Sequence, residues 1–430
     1  MVCLGQIPGM CLLNKMGDTG WLKFLFQCSP VVSFFVGGLI MARWKNWSGR
    51  HEAQPDALHF VRSEEDAMAL VDKARAEGRG IRVAGSGHSH SPLVVSAGWI
   101  VDISGLAGII EIDQTEKTAW IYAGTPIYSL GRSLHDAGLA LHNQGDIDRQ
   151  TIAGACATGT HGTGRNLKNL SSAVTAVEVI TGNGQRVRCS PESQPELFAV
   201  ARLGLGGAGI ITRMQLQLRD SYQLKENGRD MVFAELFEQI PELAERHDRF
   251  EFFWHPQTDQ ATVKLIDETT GLPEYPVSVE GQRRAWNYEV LPSHRPHLHT
   301  EMEYSIPEDL GPACFAELRE MIQADFKQVR WPVEYRTLAQ DNIWLSTAFQ
   351  RQTVTISIHE DVRLDESAYF AASERIFRRY QGRPHWGKVN YLNAVDFKSS
   401  YSHWQDWWRI RDQFDPDDVF INDYLGSIRS

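Results

Sequence analysis

The chain has 430 residues, of which 42 % are hydrophobic and 10 % aromatic, enough apolar content for well-buried cores in two or three domains. Lys and Arg number 43 against 54 Asp and Glu, and the formal charge of −11 argues against nucleic acid as a partner, because polyanion binding needs dense basic residues. The 6 cysteines show no C-x-x-C spacing, so we interpret them as reduced thiols in a cytoplasmic protein.

The first 40 residues differ from the rest of the chain. An apolar stretch ends in "FFVGGLIM" (34–41), but Lys23, Gln27 and Pro30 interrupt it further upstream. It is shorter than the ~20 apolar residues that a membrane span needs. A true start at Met41, a membrane anchor and a cleaved signal all stay open. We treat 1–40 as an atypical extension outside the fold and keep a peripheral membrane contact as an alternative.

Short helices alternate with short strands between about 55 and 220. Ser63 suits the N-cap of an amphipathic helix that ends at Gly78, and a proline suits the first turn of a second helix over 126–141. The predicted strands of this region are "IRVAG" (81–85), "WIVDIS" (99–104), "TAWIYAG" (118–124) and a hairpin over 173–189 that turns at Asn183-Gly184. The longer elements of the second half are strands at 248–256, 261–268 and 353–361 and a helix within 314–329. The pattern predicts an α+β protein.

One glycine motif is not a dinucleotide fingerprint. "GLGGAG" (204–209) fits G-x-G-x-x-G, but such a site needs a strand before it and a helix after it, so that phosphate meets the helix N-terminus. Here the helical "PELFAVARL" precedes the glycines and the strand-like "IITRMQLQL" follows them. We therefore expect the backbone at these glycines to pass close to something flat.

Two histidine pairs raise the question of a metal. His88 with His90, and His297 with His299, would each place two imidazoles on one face of a strand, a spacing that zinc sites also use. We recognise no carboxylate or cysteine ligand beside either pair, so we expect no metal and keep a zinc enzyme as a distant alternative. The chain has no G-x-S-x-G elbow, which excludes the usual serine hydrolase arrangement.

A second stretch rich in small residues, "NQGDIDRQTIAGACATGTHGTG" (143–164), would let backbone N–H groups approach a large planar or phosphorylated ligand. Taken alone, such a stretch is also compatible with an irregular loop. Its combination with "VAGSGHSHSP" (83–92) favours a ligand site.

Five motifs in this order resemble the sugar-lactone and alditol oxidases of the vanillyl-alcohol-oxidase flavoprotein superfamily. They are "RVAGSGHSHSP" (82–92), "GDIDRQTIAGACATGTHGTG" (145–164), "VEYR" (333–336), "HWGK" (385–388) and "DPDDVFINDYL" (415–425). The resemblance covers about 42–428. It implies an FAD-binding domain of two α/β subdomains over 41–220, an α+β cap domain with an antiparallel sheet over 221–395, and a C-terminal segment over 396–430 that returns to the first domain.

The resemblance also implies the cofactor contacts. His88 stands at the position whose imidazole is covalently joined to the flavin 8α-methyl group, whereas His90 stands where relatives usually carry an aromatic residue and is expected only to line the site. The residues expected to bind FAD are Gly85, Ser86, Gly87, His88, Ser89, His90, Gly145, Asp146, Thr151, Gly154, Ala157, Thr158, His161, Gly162, Thr163, Gly209 and Ile211.

The catalytic residues expected from the resemblance are Glu334, Arg336 and Lys388. In a strand, Glu334 and Arg336 share one face, where Arg336 can donate two hydrogen bonds to a substrate oxygen. A surface Glu–Arg pair is the alternative for an isolated E-x-R. The implied activity is oxidation of a CH–OH group of a sugar lactone or alditol by hydride transfer to flavin N5, with dioxygen as acceptor. A dehydrogenase that uses a quinone or cytochrome and a non-catalytic flavin- or sugar-binding protein stay open, as does the choice of sugar.

Overall fold

The computed structural model describes residues 31–36, 39–293 and 295–429. Its strands are β1 Val31–Val36, β2 Leu39–Lys45, β3 Glu52–Ala53, β4 Ala57–Phe60, β5 Ile81–Ala84, β6 Trp99–Asp102, β7 Ile109–Asp113, β8 Thr118–Tyr122, β9 Leu139–Ala140, β10 Val174–Ile180, β11 Arg186–Cys189, β12 Ile210–Gln217, β13 Arg219–Asp220, β14 Gln223–Val232, β15 Arg249–His255, β16 Gln260–Thr269, β17 Arg284–Trp286, β18 His299–Pro307, β19 Val333–Leu338, β20 Thr353–Asp361 and β21 Arg383–Pro384. Its helices are α1 Glu64–Glu77, α2 Ile127–Asp136, α3 Ile152–Thr158, α4 Pro195–Ala201, α5 Phe233–Arg246, α6 Asn287–Val290, α7 Gly311–Asp325, α8 Ser367–Arg379, α9 Ala394–Ser400, α10 Trp404–Phe414 and α11 Asp423–Arg429. The predicted α+β class is confirmed.

The first half of the chain builds small sheets. Strands β4, β6 and β5 form a parallel sheet, and β11, β10, β12, β8 and β7 form an antiparallel sheet in that order. Helix α1 begins where the Ser63 hydroxyl accepts a hydrogen bond from the Asp66 amide (3.0 Å) and ends at Gly78, whose φ of 61° is left-handed. The predicted helix and the β10–β11 hairpin are confirmed.

Helix α2 is shorter than predicted. It ends at Asp136, and Gly138 with a φ of 79° turns the chain out of the helix. Leu139 and Ala140 then form β9, which pairs with β13. The apolar residues after the glycine fitted helical spacing. A glycine in the left-handed conformation nevertheless ends the helix, whatever the spacing of the residues that follow. The prediction over 126–141 was therefore wrong from 137 onward.

The "GLGGAG" segment lies between helix α4 and strand β12, as the sequence predicted. The helix precedes the glycines, so no helix N-terminus follows them that could receive a phosphate. This order argues against a dinucleotide fingerprint at 204–209.

The second half of the chain builds an eight-stranded antiparallel sheet in the order β17, β14, β16, β15, β19, β20, β18, β21. Because side chains alternate along a strand, its two faces differ. One face is apolar and packs against helices α5, α7 and α8, with Phe252, Tyr335 and Ile356 in its core. The opposite face carries polar and charged side chains, among them Glu334 and Arg336.

The C-terminal helices pack on the core of the first half. Trp386, Phe397, Trp404 and Trp407 belong to the same buried cluster as the central strands β6, β8, β10 and β12. The boundaries at 40, 220 and 395 stay predictions. Residues 1–30, 37 and 38 of the expected N-terminal extension lie outside the described residues. At the C-terminal end of this extension, strand β1 pairs with strand β2. Among the described helices, none is long and apolar enough to span a membrane.

Candidate active site

Two adjoining clefts lie beside the small sheets, and the second also reaches the polar face of the large sheet. The first, the glycine-lined cleft, has an empty volume of about 950 Å³ and is walled by residues of 82–94, 150–158 and 201–211, with Trp44 and Ile103. The second, the histidine-lined cleft, has about 1380 Å³ and is walled by Trp47 and by residues of 88–90, 145–161, 292–303, 336 and 385–388. The two clefts share His88, Ser89, Gln150 and Thr158, so they adjoin at these residues.

The walls of the glycine-lined cleft approach each other closely at glycines. A Cβ atom at Gly85 would lie 2.3 Å from the Thr151 hydroxyl, and one at Gly154 would lie 2.8 Å from the same atom. The Thr151 hydroxyl accepts a hydrogen bond from the Gly154 amide (3.3 Å) at the start of α3. Backbone therefore reaches the cleft directly, which suits a ligand bound by amide N–H groups.

Arg82 fixes three loops around the glycine-lined cleft. Its buried guanidinium donates hydrogen bonds to the carbonyls of Leu93 (2.6 Å), Leu205 (2.7 Å) and Phe420 (2.6 Å). Burial is the main cause that lowers the pKa of Arg82, to about 9, so the group stays charged at neutral pH. One arginine thus joins the "GSGHS" region, the "GLGGAG" segment and the C-terminal segment.

The structure brings most of the expected residues to the two clefts. The expected residues that line the glycine-lined cleft are Gly85, Ser86, Gly87, His88, Ser89, Thr151, Gly154, Ala157, Thr158, Gly209 and Ile211. Those that line the histidine-lined cleft are His88, Ser89, His90, Gly145, Asp146, Thr158, His161, Arg336 and Lys388. Gly162, Thr163 and Glu334 line neither cleft.

The three expected residues outside the cleft walls hold the walls in place. A Cβ atom at Gly162 would lie 2.2 Å from the Gln144 carbonyl, so this position accommodates only glycine. The Thr163 hydroxyl accepts a hydrogen bond from the Thr337 amide (3.2 Å), which ties the "THGTG" loop to strand β19. Glu334 lies behind Arg336, with its Oε1 atom 2.6 Å from Arg336 Nη2.

Arg336 is the centre of a buried charge network. Its Nε donates to Glu251 (3.0 Å), and its Nη2 lies 3.3 Å from Asp146. Burial by itself lowers the pKa of Arg336, but Glu334, Asp146 and Glu251 together raise it well above its ordinary value, so the guanidinium stays charged. Burial is the main cause that raises the pKa of Glu334, to about 8. The charge of Arg336 opposes this rise, and the carboxylates of Glu251 and Asp146 add to it.

Strand β18 contributes a row of alternate side chains to the histidine-lined cleft: His299, Glu301 and Glu303. Lys388 forms a short ion pair with Glu301. Burial by itself raises the pKa of Glu301, but the Lys388 charge, followed by the neighbouring imidazoles, lowers it well below its ordinary value. Burial by itself lowers the pKa of Lys388, but the charges of Glu301 and Glu303 outweigh burial, so the pKa of Lys388 is raised overall. Glu301 and Lys388 are therefore an ionised pair.

Glu303 forms the second carboxylate centre of β18. It accepts hydrogen bonds from the His161 ring (Nε2–Oε1 2.8 Å) and from the Ser357 hydroxyl (2.9 Å). The other ring nitrogen of His161 lies 2.8 Å from the Gly162 carbonyl, which can only accept. Both nitrogens of His161 therefore face acceptor oxygens, one of them on Glu303. The pair joins the "THGTG" loop to the large sheet.

His88 lies where the two clefts meet. Its ring stacks on Trp47 with centroids 5.5 Å apart, and the Trp47 amide donates to the Gly87 carbonyl (2.8 Å). Burial is the main cause that lowers the pKa of His88, to about 4, with a smaller effect of the nearby Lys388 charge. The imidazole is therefore neutral at neutral pH.

The expected geometry of the histidine pairs is wrong. His88 and His90 lie in a loop, and His297 is exposed and precedes β18, so neither pair occupies one face of a strand. The expectation of no neighbouring carboxylate is wrong as well, because Glu301 follows His299 by two residues on the same face of β18. His90, His299 and Glu301 come together, and so do His161, Glu303 and His385.

Sequence reasoning missed several residues of the cleft walls. They are Arg295, Glu301 and Glu303, whereas Gln150, Gly204, Leu205, Gly206, His299 and His385 belong to motifs that the sequence singled out without assigning these residues to the site. The alternation in "HTEMEYS" (299–305) was a readable signal, since polar residues at every second position of a strand predict one polar face. Nothing local marked Arg295, which reaches Asp146 (3.2 Å) from a distant loop.

Comparisons with known proteins agree with this geometry. Residues 55–190 match the FAD binding domain family, and residues 278–428 match the D-arabinono-1,4-lactone oxidase family. The chain is 30% identical over 420 residues to L-gulono-1,4-lactone dehydrogenase of Mycobacterium tuberculosis strain H37Rv, covering 89% of this chain and 97% of that protein. It is 26% identical over 445 residues to L-gulonolactone oxidase of Bos taurus, covering 91% and 99%.

A solved structure supports the same fold. A solvent-stable cholesterol oxidase superposes with a TM-score of 0.79 at 16% sequence identity, covering 90% of this chain and 97% of that one. The predicted fold, an FAD-binding domain of the vanillyl-alcohol-oxidase type with a mixed cap, is confirmed. The glycine-lined cleft, with backbone exposed at Gly85 and Gly154, also fits a large phosphorylated cofactor. The chain therefore belongs to the family of FAD-binding sugar-lactone oxidoreductases.

Proposed function

We propose that the protein oxidises a CH–OH group of a sugar 1,4-lactone, with FAD in the glycine-lined cleft and the lactone in the histidine-lined cleft. One observation carries the proposal: a charged Arg336, buried on a rigid strand, lines a polar cleft that adjoins the glycine-lined cleft. The proposal includes the division into an FAD-binding domain (41–220), a cap (221–395) and a returning C-terminal segment (396–430).

FAD, when bound, supplies the acceptor of the hydride. The backbone at Gly85 and Gly87 would hold its phosphates, because neither residue has a side chain between its amide and the cleft. Gly154, whose amide donates to Thr151, would line the wall. Gly209 and Ile211 would line the opposite wall. The other residues expected to contact FAD would do so where the two clefts adjoin, at Ser89 and Thr158.

Arg336 and Lys388 would bind the substrate oxygen that is attached to the carbon that loses the hydride. Arg336 is buried and Lys388 is partly buried, and carboxylates fix both cations, so they need no rearrangement when negative charge develops on that oxygen. Glu334, directly behind Arg336 and outside both cleft walls, would orient the guanidinium. Fixed donors of this kind also keep the reacting carbon within near-attack distance, ~3–3.5 Å.

The covalent attachment of FAD to His88 is part of the proposal. A neutral imidazole keeps a nitrogen lone pair, and His88 is neutral and lies at the junction of the clefts. Acid-precipitated protein should stay yellow and fluoresce on a denaturing gel. His88→Ala should still bind FAD, since the backbone contacts remain, but should release it into the acid supernatant. Complete release of flavin from the parent protein would reject the attachment while leaving the fold intact.

The electron acceptor separates two versions of the activity. We propose dioxygen, and the Bos taurus relative is named an oxidase, whereas the Mycobacterium tuberculosis relative is named a dehydrogenase. The alternative is therefore a quinone or cytochrome as acceptor. We further propose a cytoplasmic location, with a peripheral membrane contact as the alternative, which fractionation of cells would separate.

Anaerobic mixing tests the activity. Purified protein is mixed with L-gulono-1,4-lactone, D-arabinono-1,4-lactone and a matched alditol while the flavin absorbance is followed. We expect a lactone to bleach the flavin, and air to restore the colour at a catalytically useful rate. Reoxidation by cytochrome c or a quinone but not by air would identify the dehydrogenase. A flavin that no lactone or alditol bleaches would reject the proposed function and leave a non-catalytic flavin protein.

A further inference from the structure

The carboxylate of Glu301 is surrounded by three imidazoles. Its Oε2 lies 3.9 Å from His90 Nε2 and 3.8 Å from His299 Nε2, and its Oε1 lies 3.7 Å from His359 Nε2. These distances are too long for hydrogen bonds, although Glu301 and His90 are buried and the other two rings are largely buried. The cation that contacts this carboxylate directly is Lys388.

The ring orientations of His299 and His359 are fixed by their outer nitrogens. His299 Nδ1 lies 3.0 Å from the His297 carbonyl, and His359 Nδ1 lies 3.0 Å from the Pro332 carbonyl. A carbonyl only accepts, so each Nδ1 carries the proton, and in the neutral ring Nε2 presents a lone pair. Both lone pairs are directed toward Glu301. A backbone carbonyl on the outer nitrogen is the arrangement that orients metal-ligating histidines.

Lone pairs that face a carboxylate without a hydrogen between them leave room for a cation. His90 adds a third Nε2, and its buried Nδ1 has no hydrogen-bond partner among the described residues. Trp47 and the neighbouring rings hold the imidazoles, with centroids 5.2 Å apart for Trp47 and His299 and 5.6 Å apart for His90 and His299. His90, His299, Glu301 and Lys388 all line the open cleft, so an ion can enter.

The second cluster of histidines with a carboxylate does not have this property. Both ring nitrogens of His161 face acceptor oxygens, on Glu303 and on Gly162. His385 Nδ1 accepts a hydrogen bond from the Gly387 amide (3.0 Å), so in the neutral ring its proton lies on Nε2. Neither ring presents a free lone pair to Glu303. Of the two clusters found among the described residues, only the one around Glu301 keeps the hydrogen bonds of its imidazoles when an ion binds, and the bond that must break is that of Lys388 to Glu301.

We propose that His90, His299, His359 and Glu301 bind a divalent transition-metal ion of the zinc type, which displaces the ammonium group of Lys388 from Glu301. Three imidazole nitrogens and one carboxylate oxygen suit zinc, cobalt or nickel and not the oxygen-seeking Mg²⁺ or Ca²⁺. Tetrahedral zinc with bonds of ~2.0–2.2 Å separates neighbouring ligand atoms by ~3.3 Å. The nitrogens of His90 and His299, which already converge with Glu301, must therefore move about half an ångström closer to its Oε2. His359 faces Oε1 and must move at least as far to share the ion.

Lys388 has other carboxylates to interact with when it leaves Glu301. Its charge also interacts with Glu303 and Asp146, so an ammonium group released from Glu301 stays among carboxylates. A bound ion would lie in the histidine-lined cleft and hold Lys388 away from its proposed position on the substrate. The resulting inhibition of lactone oxidation rests on the proposed function, whereas ion binding does not.

The binding test uses chelator-treated holoprotein and Co²⁺, whose visible absorption reports coordination by nitrogen in a low-symmetry site. We expect one Co²⁺ per chain, displaced by Zn²⁺ and unaffected by Mg²⁺. His90→Phe and His359→Gln should each weaken binding at least about tenfold, since even the outer partners of ligands change metal affinity by 10–100-fold. His403→Gln is the matched control: this part-buried histidine before α10 pairs with Asp406 and lines neither cleft, so Co²⁺ binding should be unchanged.

Lys388→Met distinguishes this site from adventitious binding. Removing a competing positive charge about 4 Å from the ion should tighten Co²⁺ binding at least about fivefold, even at the dielectric constant of water. An unchanged or weaker affinity would contradict displacement of Lys388. The absence of a nitrogen-type Co²⁺ spectrum in the parent and in Lys388→Met would reject the site, whatever the activity of the protein.

Inhibition is measured separately. Zn²⁺ should slow anaerobic flavin reduction by lactone in the parent protein, and a chelator should restore the rate. In His359→Gln, the same Zn²⁺ concentration should inhibit at least about tenfold less, because a ligand is lost and the substrate contacts are kept. Equal inhibition of both proteins would place the inhibitory ion elsewhere.

Discussion

Arg336→Lys should slow flavin reduction by the best lactone about 10²–10³-fold while leaving the FAD content of the protein unchanged. The planar guanidinium keeps Nε and Nη2 on carboxylates while Nη1 can donate to the substrate oxygen, and an ammonium group cannot reproduce this fixed arrangement. In the structure, Arg336 is preorganised by Glu334 (2.6 Å), Glu251 (3.0 Å) and Asp146 (3.3 Å). The expected loss is that of one preorganised donor to developing negative charge.

The structure also explains why lysine and not alanine is the informative substitution. Arg336→Ala would leave its three carboxylates without their shared cation in a buried site. Removing one partner of a buried ion pair destabilises a protein by about 3–5 kcal/mol, so a slow Arg336→Ala protein could simply be poorly folded. Lysine keeps the positive charge and much of the volume. Its unfolding temperature should fall less than that of Arg336→Ala.

Arg283→Lys is the matched control. Arg283 is buried at the edge of the same sheet and holds Glu226 with two hydrogen bonds (2.7 and 2.8 Å), but it lines neither cleft. Both variants lose a buried guanidinium fork, and only Arg336→Lys should lose the rate. Stopped-flow flavin reduction under anaerobic conditions gives that rate. An Arg336→Lys rate within a few-fold of the parent would refute the role of Arg336 and leave a structural charge network.

Three further predictions follow from the same site. Because burial raises the pKa of Glu334 to about 8 from an ordinary 4.5, its contribution to stability is present below pH 4.5 and is lost as the pH rises through about 8. The melting temperature of the parent minus that of Glu334→Gln should therefore fall across this range, and a constant difference from pH 5 to about pH 9 would contradict the assignment. Gly85→Ala should displace Thr151 and lower the flavin-to-protein ratio severalfold, because the helix cap it disturbs is worth ~1 kcal/mol, whereas Gly80→Ala meets only contacts of 3.5 Å or more and should retain flavin. A chain that begins at Met41 should be folded, yellow and active, because it keeps the part of β2 that pairs with β3, and loss of flavin from it would show that the preceding residues belong to the fold.

Local signals in the sequence predicted the elements that local interactions determine. The capping serine and terminal glycine of α1 and the Asn183-Gly184 hairpin were readable because each feature is satisfied within a few residues. The order of α4, the glycines and β12 was readable for the same reason. Alternation placed Glu334 and Arg336 on one face of β19, opposite Val333 and Tyr335, which belong to the apolar core.

Contacts between distant segments were not readable from the sequence. Glu303 meets His161 across 142 positions of the chain, and Asp146 meets Arg295 across 149. The histidine pairs misled because a spacing of two predicts one face only inside a strand, and 88–90 is a loop. The grouping of His90 with His299 depends on how the loop after β5 packs on β18. Only the fold determines that packing.

The two faces of the large sheet have different roles in the energetics of the protein. The face packed by α5, α7 and α8 buries aromatic and branched side chains, whose transfer from water contributes about 1.5–3 kcal/mol each. The opposite face buries Glu251, Glu301, Glu303 and Glu334 with their cations, and buried ion pairs are often no more stabilising than apolar residues of the same size. Stability therefore does not explain why the second face is charged. A cleft that must bind a polyhydroxylated substrate and stabilise charge on its oxygen does explain it, because the same carboxylates keep Arg336 and Lys388 charged and in position.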